Sequence, residues 1–121
     1  MKIRIRGNSI RYRLDKLDIQ ALKENGKVEE ETHIGPSSLH FCIRISDKQK
    51  VKLEGSAVHM SILAEKAAEW IDTDQVGIQF EQQNPDNSVL KILIEKDFKC
   101  LTEREEDDSS AFENPLAQHD C

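Results

Sequence analysis

At 121 residues the chain is long enough to bury one core and too short for two independent ones. A charged fraction of 33% beside an apolar fraction of 37% calls for a largely solvated surface; no apolar run approaches the ~20 residues of a membrane helix, and the opening MKIRIRGN lacks a signal peptide's apolar stretch. The formal net charge of −6 disfavours a general nucleic-acid binder, and Cys42, Cys100 and Cys121, odd in number and irregular in spacing, form no disulfide framework, so reduced thiols in a cytoplasm are expected.

In KIRIRGNSIRYRL, Ile3 and Ile5, then Ile10, Tyr12 and Leu14, alternate with polar residues, the period of strands with one buried face. Gly7-Asn8 between them has the composition of a tight hairpin turn, so residues 2–14 are expected to form a hairpin. Asp15 then offers an N-cap, Leu14, Leu17 and Ala21 lie at helical spacing, and Gly26 marks the helix end. Val28, Glu30, Thr32 and Ile34 alternate weakly. Past the GPSS link at 35–38, Leu39, Phe41, Ile43 and Ile45 alternate cleanly.

Shifting the chain by 48 residues places Ile3 on Val51, Ile5 on Leu53, Gly7 on Gly55, Ile10 on Val58, Tyr12 on Met60, Leu14 on Ile62 and Val28 on Val76. The second helix carries Ala64, Ala67, Ala68 and Ile71 as an apolar stripe with Trp70 alongside, most simply a core anchor. After the loop QNPDNS the offset becomes 51, placing Leu39 on Leu90, Phe41 on Ile92 and Ile43 on Ile94. The expected fold is α+β: two similar strand-strand-helix-strand-strand halves, about 2–45 and 50–96, in one domain spanning 1–100. Their strands should form a mostly antiparallel, strongly curved or barrel-like sheet, with two helices covering one face. Residues 101–121 hold seven acids against one base and are expected to form an acidic tail, whereas residues 1–100 balance at zero.

The hairpin KIRIRGNSIRYRL, with DQVGIQFEQ and LKILIEKDFKCL further on, resembles a family of small uncharacterised bacterial proteins over nearly the whole length. The resemblance implies a bacterial cytosolic origin and brings no activity or site residues.

The hairpin register sets Arg6 opposite Ser9, Arg4 opposite Arg11 and Lys2 opposite Arg13, all directed away from the apolar face. Facing like charges disfavour the hairpin, so an anion would relieve a cost. Lys2, Arg4, Arg6, Arg11 and Arg13 are therefore the candidate anion-binding residues, the ligand being an anionic small molecule or an acidic protein segment. The competing explanation is that they are solvated, or neutralised by Glu29, Glu31 or the tail. If the sheet closed with its polar side chains inward, these would line a charged tunnel, an architecture resembling the triphosphate tunnel enzymes, in which arginines and lysines bind phosphates and carboxylates a metal. Their Glu-x-Glu-x-Lys signature is absent, because Lys2, Arg4 and Arg6 occupy that alternation. A third expectation is a structural domain that pairs through exposed strand edges.

Cys100, His119 and Cys121, with His40 or His59 as a fourth ligand, have the chemistry for zinc but not the Cys-x-x-Cys or His-x-x-x-His spacing. Cys42 falls between His40 and Arg44, where a cation could activate a thiol, yet no nucleophile signature surrounds it. No Walker loop, Gly-x-Ser-x-Gly elbow, Gly-x-Gly-x-x-Gly or His-Glu-x-x-His occurs, so no cofactor is expected. Only Tyr12, Trp70 and four phenylalanines are aromatic, too few for a base-stacking row. The sum is a non-enzymatic binding module.

Overall fold

The computed structural model describes residues 1–98 and residue 112. Along the chain run β1 (Lys2–Arg6), β2 (Ser9–Leu14), α1 (Lys16–Asn25), β3 (Lys27–Ile34), β4 (Ser37–Ser46), β5 (Lys50–Glu54), β6 (Ala57–Leu63), α2 (Ala64–Ile71), β7 (Gly77–Gln83) and β8 (Val89–Lys96). The class is α+β, with the order β-β-α-β-β occurring twice.

These eight strands do not form one closed sheet. They form two four-stranded sheets, ordered β1-β2-β8-β7 and β3-β4-β6-β5. Each sheet joins a hairpin from one half to a hairpin from the other. The hairpins are antiparallel, but the central contacts β2/β8 and β4/β6 are parallel. Alternation within a segment reports which face is buried and is silent on the distant strand that pairs beside it, so this exchange of hairpins has no local signature. Shifting β1, β2 by 48 and β4 by 51 converts the registers of one sheet into those of the other: Ser9 pairs with Lys91, and Ala57 with His40.

The apolar faces of both sheets share one core. Tyr12, Leu14 and Ile94 come from the first sheet, Ile43, Met60 and Ile62 from the second, and Tyr12 meets Phe41 edge-on with ring centroids 6.5 Å apart. Burial pushes the Tyr12 phenol up to about 12. The expected charged tunnel is therefore not built among the described residues: the interior is apolar, and the polar alternation faces outward.

Both helices cross between the sheets, so the expectation of helices covering one face of one sheet is corrected too. In α1, Asp15 closes a capping box with Asp18, and Gly26 ends the helix at φ 74°, where a side chain would be strained. Leu22 in α1 and Trp70 in α2, 48 residues apart, are fully buried, and Trp70 Nε1 donates to the carbonyl of Val76 at 2.9 Å. The inward stripe of α2 is Ala67 and Trp70 while Ala64 and Ala68 face solvent, and Leu17 of α1 is 75% exposed. Leu14 is spent as the last core residue of β2, so helical spacing counted from it points Leu17 the wrong way.

One expected equivalence slips. Val28 pairs with Ile43, and Ile78 with Ile94, so the structural counterpart of Val28 is Ile78 and not Val76, which is half-exposed. The cause is length: α1 has ten residues and α2 eight, and the chain from 72 to 76 absorbs the difference. The expected tail, 101–121, lies outside the described residues apart from Phe112, which is fully exposed.

Candidate anion-binding face

The five basic residues come together on one surface. The turn between β1 and β2 needs a positive φ only at Gly7 (54°), and Asn8 fastens the hairpin tip to β8, its Nδ2 donating to Val89 O at 2.8 Å and its carbonyl accepting from Lys91 N at 3.0 Å. The register is Arg6 with Ser9, Arg4 with Arg11 and Lys2 with Arg13, as the spacing predicts. Because β8 lies against β2, the outward face continues as Lys91, Leu93 and Glu95, and β7 adds Glu81, Gln79 and Gly77. One cross-sheet row thus reads Lys2, Arg13, Glu95, Gly77, and the next Arg4, Arg11, Leu93, Gln79.

Glu95 organises this surface. Its Oε1 accepts from Arg11 Nε at 2.7 Å and from Arg13 Nε at 2.9 Å, and its side chain is only 13% exposed. Two guanidinium groups on one carboxylate oxygen are held together instead of repelled apart. Gly77, opposite Glu95, has no room for a side chain: a Cβ there would collide with the carbonyl of Ile94 and crowd Glu95 Cβ at 3.1 Å. Lys2 Nζ lies 3.0 Å from the carboxylate of Asp97, whose backbone N–H donates to Leu14 O at 2.8 Å. Among the described residues, Glu95 and Asp97 are neutralising groups not expected from the sequence, and the acidic tail, also expected in that role, lies outside them apart from Phe112. Glu29 and Glu31, expected in that role, belong to the other sheet, where they meet His40, His33 and Lys27. The signal for Glu95 was its place, with Lys91, on the polar side of its strand; what was lacking was the knowledge that this strand lies beside β2.

Among the described residues, Glu95 and Asp97 are carboxylates that meet these cations, and Lys91 lies across from Glu81 at the far edge. Lys2, Arg4, Arg11 and Arg13, with Ile3, line one half-open depression of about 100 Å³, the volume of a few waters or one phosphate-sized group. Arg6 extends beyond it near the turn.

The other candidates fare differently. Cys42 is buried in β4, and its thiol meets a carboxylate instead of a cation: Sγ lies 3.9 Å from Glu29 Oε1. The charge of Lys27, with a lesser one from His40, holds the Glu29 carboxyl below its usual range against the opposing effect of desolvation. No cluster of three His, Cys, Asp or Glu with metal-holding geometry occurs among the described residues. The zinc candidates Cys100, His119 and Cys121 lie outside them. Among the described residues no helix is long and apolar enough to cross a membrane.

In comparison with known proteins, residues 1–116 match a family described as "Family of unknown function (DUF7009)". No curated protein and no solved structure matches the chain.

Proposed function

We propose a function for this chain, which belongs to that family of unknown function, from its own surface: it is a small non-enzymatic binding module whose β1–β2 face receives an anionic group. The observation that carries the reading is the convergence of Lys2, Arg4, Arg11 and Arg13 on one depression, with Arg6 beside it. Preorganised guanidinium groups bind phosphate or carboxylate oxygens with little loss of side-chain freedom, because Glu95 has already fixed their stems. Among the described residues nothing on this face offers a nucleophile paired with a base, which is why binding rather than turnover is proposed. A bacterial cytoplasm as the setting, expected from the resemblance and the free thiols, belongs to the same proposal.

The test is calorimetric titration of the full chain with pyrophosphate at low and high salt. The double variant Lys2→Ala, Arg4→Ala should bind about tenfold more weakly, and affinity should fall as salt rises. The control removes Lys50 and Lys52, the residues at the equivalent positions of β5, and should leave binding unchanged. Equal affinity for all three proteins would sink the proposal.

A further inference from the structure

β1 and β5 occupy equivalent edges of the two sheets, and among the described residues only β5 has an outward backbone position gripped by a side chain. In a hairpin with a two-residue turn, the residues flanking the turn exchange backbone hydrogen bonds and the next pair does not. In β1 this parity turns Arg6, Arg4 and Lys2 toward β2 and leaves the N–H and C=O of Ile5 and Ile3 pointing away from the sheet. In β5 the corresponding outward residues are Leu53 and Val51. Both groups of Val51 are taken by the side chain of Gln82: Val51 N–H donates to Oε1 at 2.7 Å, and Nε2 donates to Val51 O at 2.9 Å. Gln82, on the edge strand β7 of the other sheet, acts there as a one-residue substitute for a neighbouring strand.

The first half lacks this device. Gln82 pairs with Leu90 and Thr32 with Leu39, so Thr32 stands where Gln82 stands, and its side chain is too short to grip both groups. Among the described residues nothing hydrogen-bonds to the outward N–H and C=O of Ile3 or Ile5. Exposure agrees at the gripped position, where Val51 is 7% exposed and its equivalent Ile3 is half-buried; one step nearer the turn both edges are open, with Ile5 at 59% and Leu53 at 70%. Unpaired edge groups attract a further strand, and the side chains of β1 decide which kind. A second copy paired β1 to β1 would set Lys2, Arg4 and Arg6 against the same cations, which is unfavourable. A strand bearing acids at alternate positions would set carboxylates there instead.

We infer that β1 is a docking edge for an extended, acidic segment of a partner protein. Its backbone pairs with Ile3 and Ile5, its carboxylates lie over Lys2, Arg4 and Arg6, and its intervening apolar side chains cover Ile5. The inference rests on the anion-binding reading of the same face and adds the backbone pairing.

The experiment titrates the full chain with a short peptide alternating valine and glutamate, and with an analogue N-methylated at alternate residues. The analogue keeps every charge and loses strand donors. The unmodified peptide should bind about tenfold more tightly and slow hydrogen exchange at the amides of Ile3 and Ile5. Ile5→Pro removes one outward donor from an edge strand without touching a bond to β2, and should weaken the peptide while leaving pyrophosphate binding intact. The inference is overturned, and the anion reading survives, if both peptides bind equally or the unmodified peptide fails while pyrophosphate binds; if neither ligand binds, both readings fall.

Discussion

Glu95 is the residue on which the basic face turns. Arg11 and Arg13 sit two apart on one strand and would repel without a shared carboxylate; with Oε1 between their Nε atoms they become a rigid cationic pair. The same carboxylate competes for those guanidinium groups with any incoming anion, so its removal has opposite effects on fold and on binding. Glu95→Gln is expected to lower stability by about 1–2 kcal/mol, the scale of lost hydrogen bonds to a charged group in a partly solvated setting. It should also raise pyrophosphate affinity several-fold. Urea denaturation and calorimetry read the two effects independently, and a variant that loses stability and affinity together would show that ordering of Arg11 and Arg13 by Glu95 outweighs its competition for them.

At the scale of elements, α1 shows how local chemistry sets boundaries. The hydrogen bond from the Asp18 backbone N–H, aided by one with its side chain and opposed by desolvation, holds the Asp15 carboxyl below its usual range. A depressed folded value means that the stabilisation is fully present above the unfolded value near 4 and is lost as pH falls through the folded one. Asp15→Ala should cost about 1 kcal/mol near neutral pH and progressively less in acid. Urea midpoints taken across that range check both the size and the sign.

This cap, the hairpin register at Gly7-Asn8 and the glycine stop at 26 were legible because each is decided within a few residues. The packing of hairpins across halves was not, since Arg11 and Glu95 are 84 positions apart and only tertiary pairing of β2 with β8 unites them. The same blindness placed a tunnel where an apolar core lies, and it matched Val28 to Val76 because alternation cannot show that α2 is short. The candidate site was half legible: its cations and their shared face could be read from spacing, whereas its carboxylates could not.

For the molecule as a whole, the two sheets are images of each other in strand order and register, and we propose that the chain arose by duplication of one β-β-α-β-β unit. The two copies have diverged where chemistry is exposed. Lys2, Arg4, Arg11 and Arg13 of the first correspond to Lys50, Lys52, His59 and Ser61 of the second, so only the first face gathers three arginines and a lysine at these positions. The most direct measurement is a pyrophosphate titration of the full chain followed through the side-chain Nε–H resonances of its arginines. The account predicts that Arg11 and Arg13 shift together and saturably while Arg44, on the other sheet, stays still; uniform, unsaturable drift of all three would contradict it.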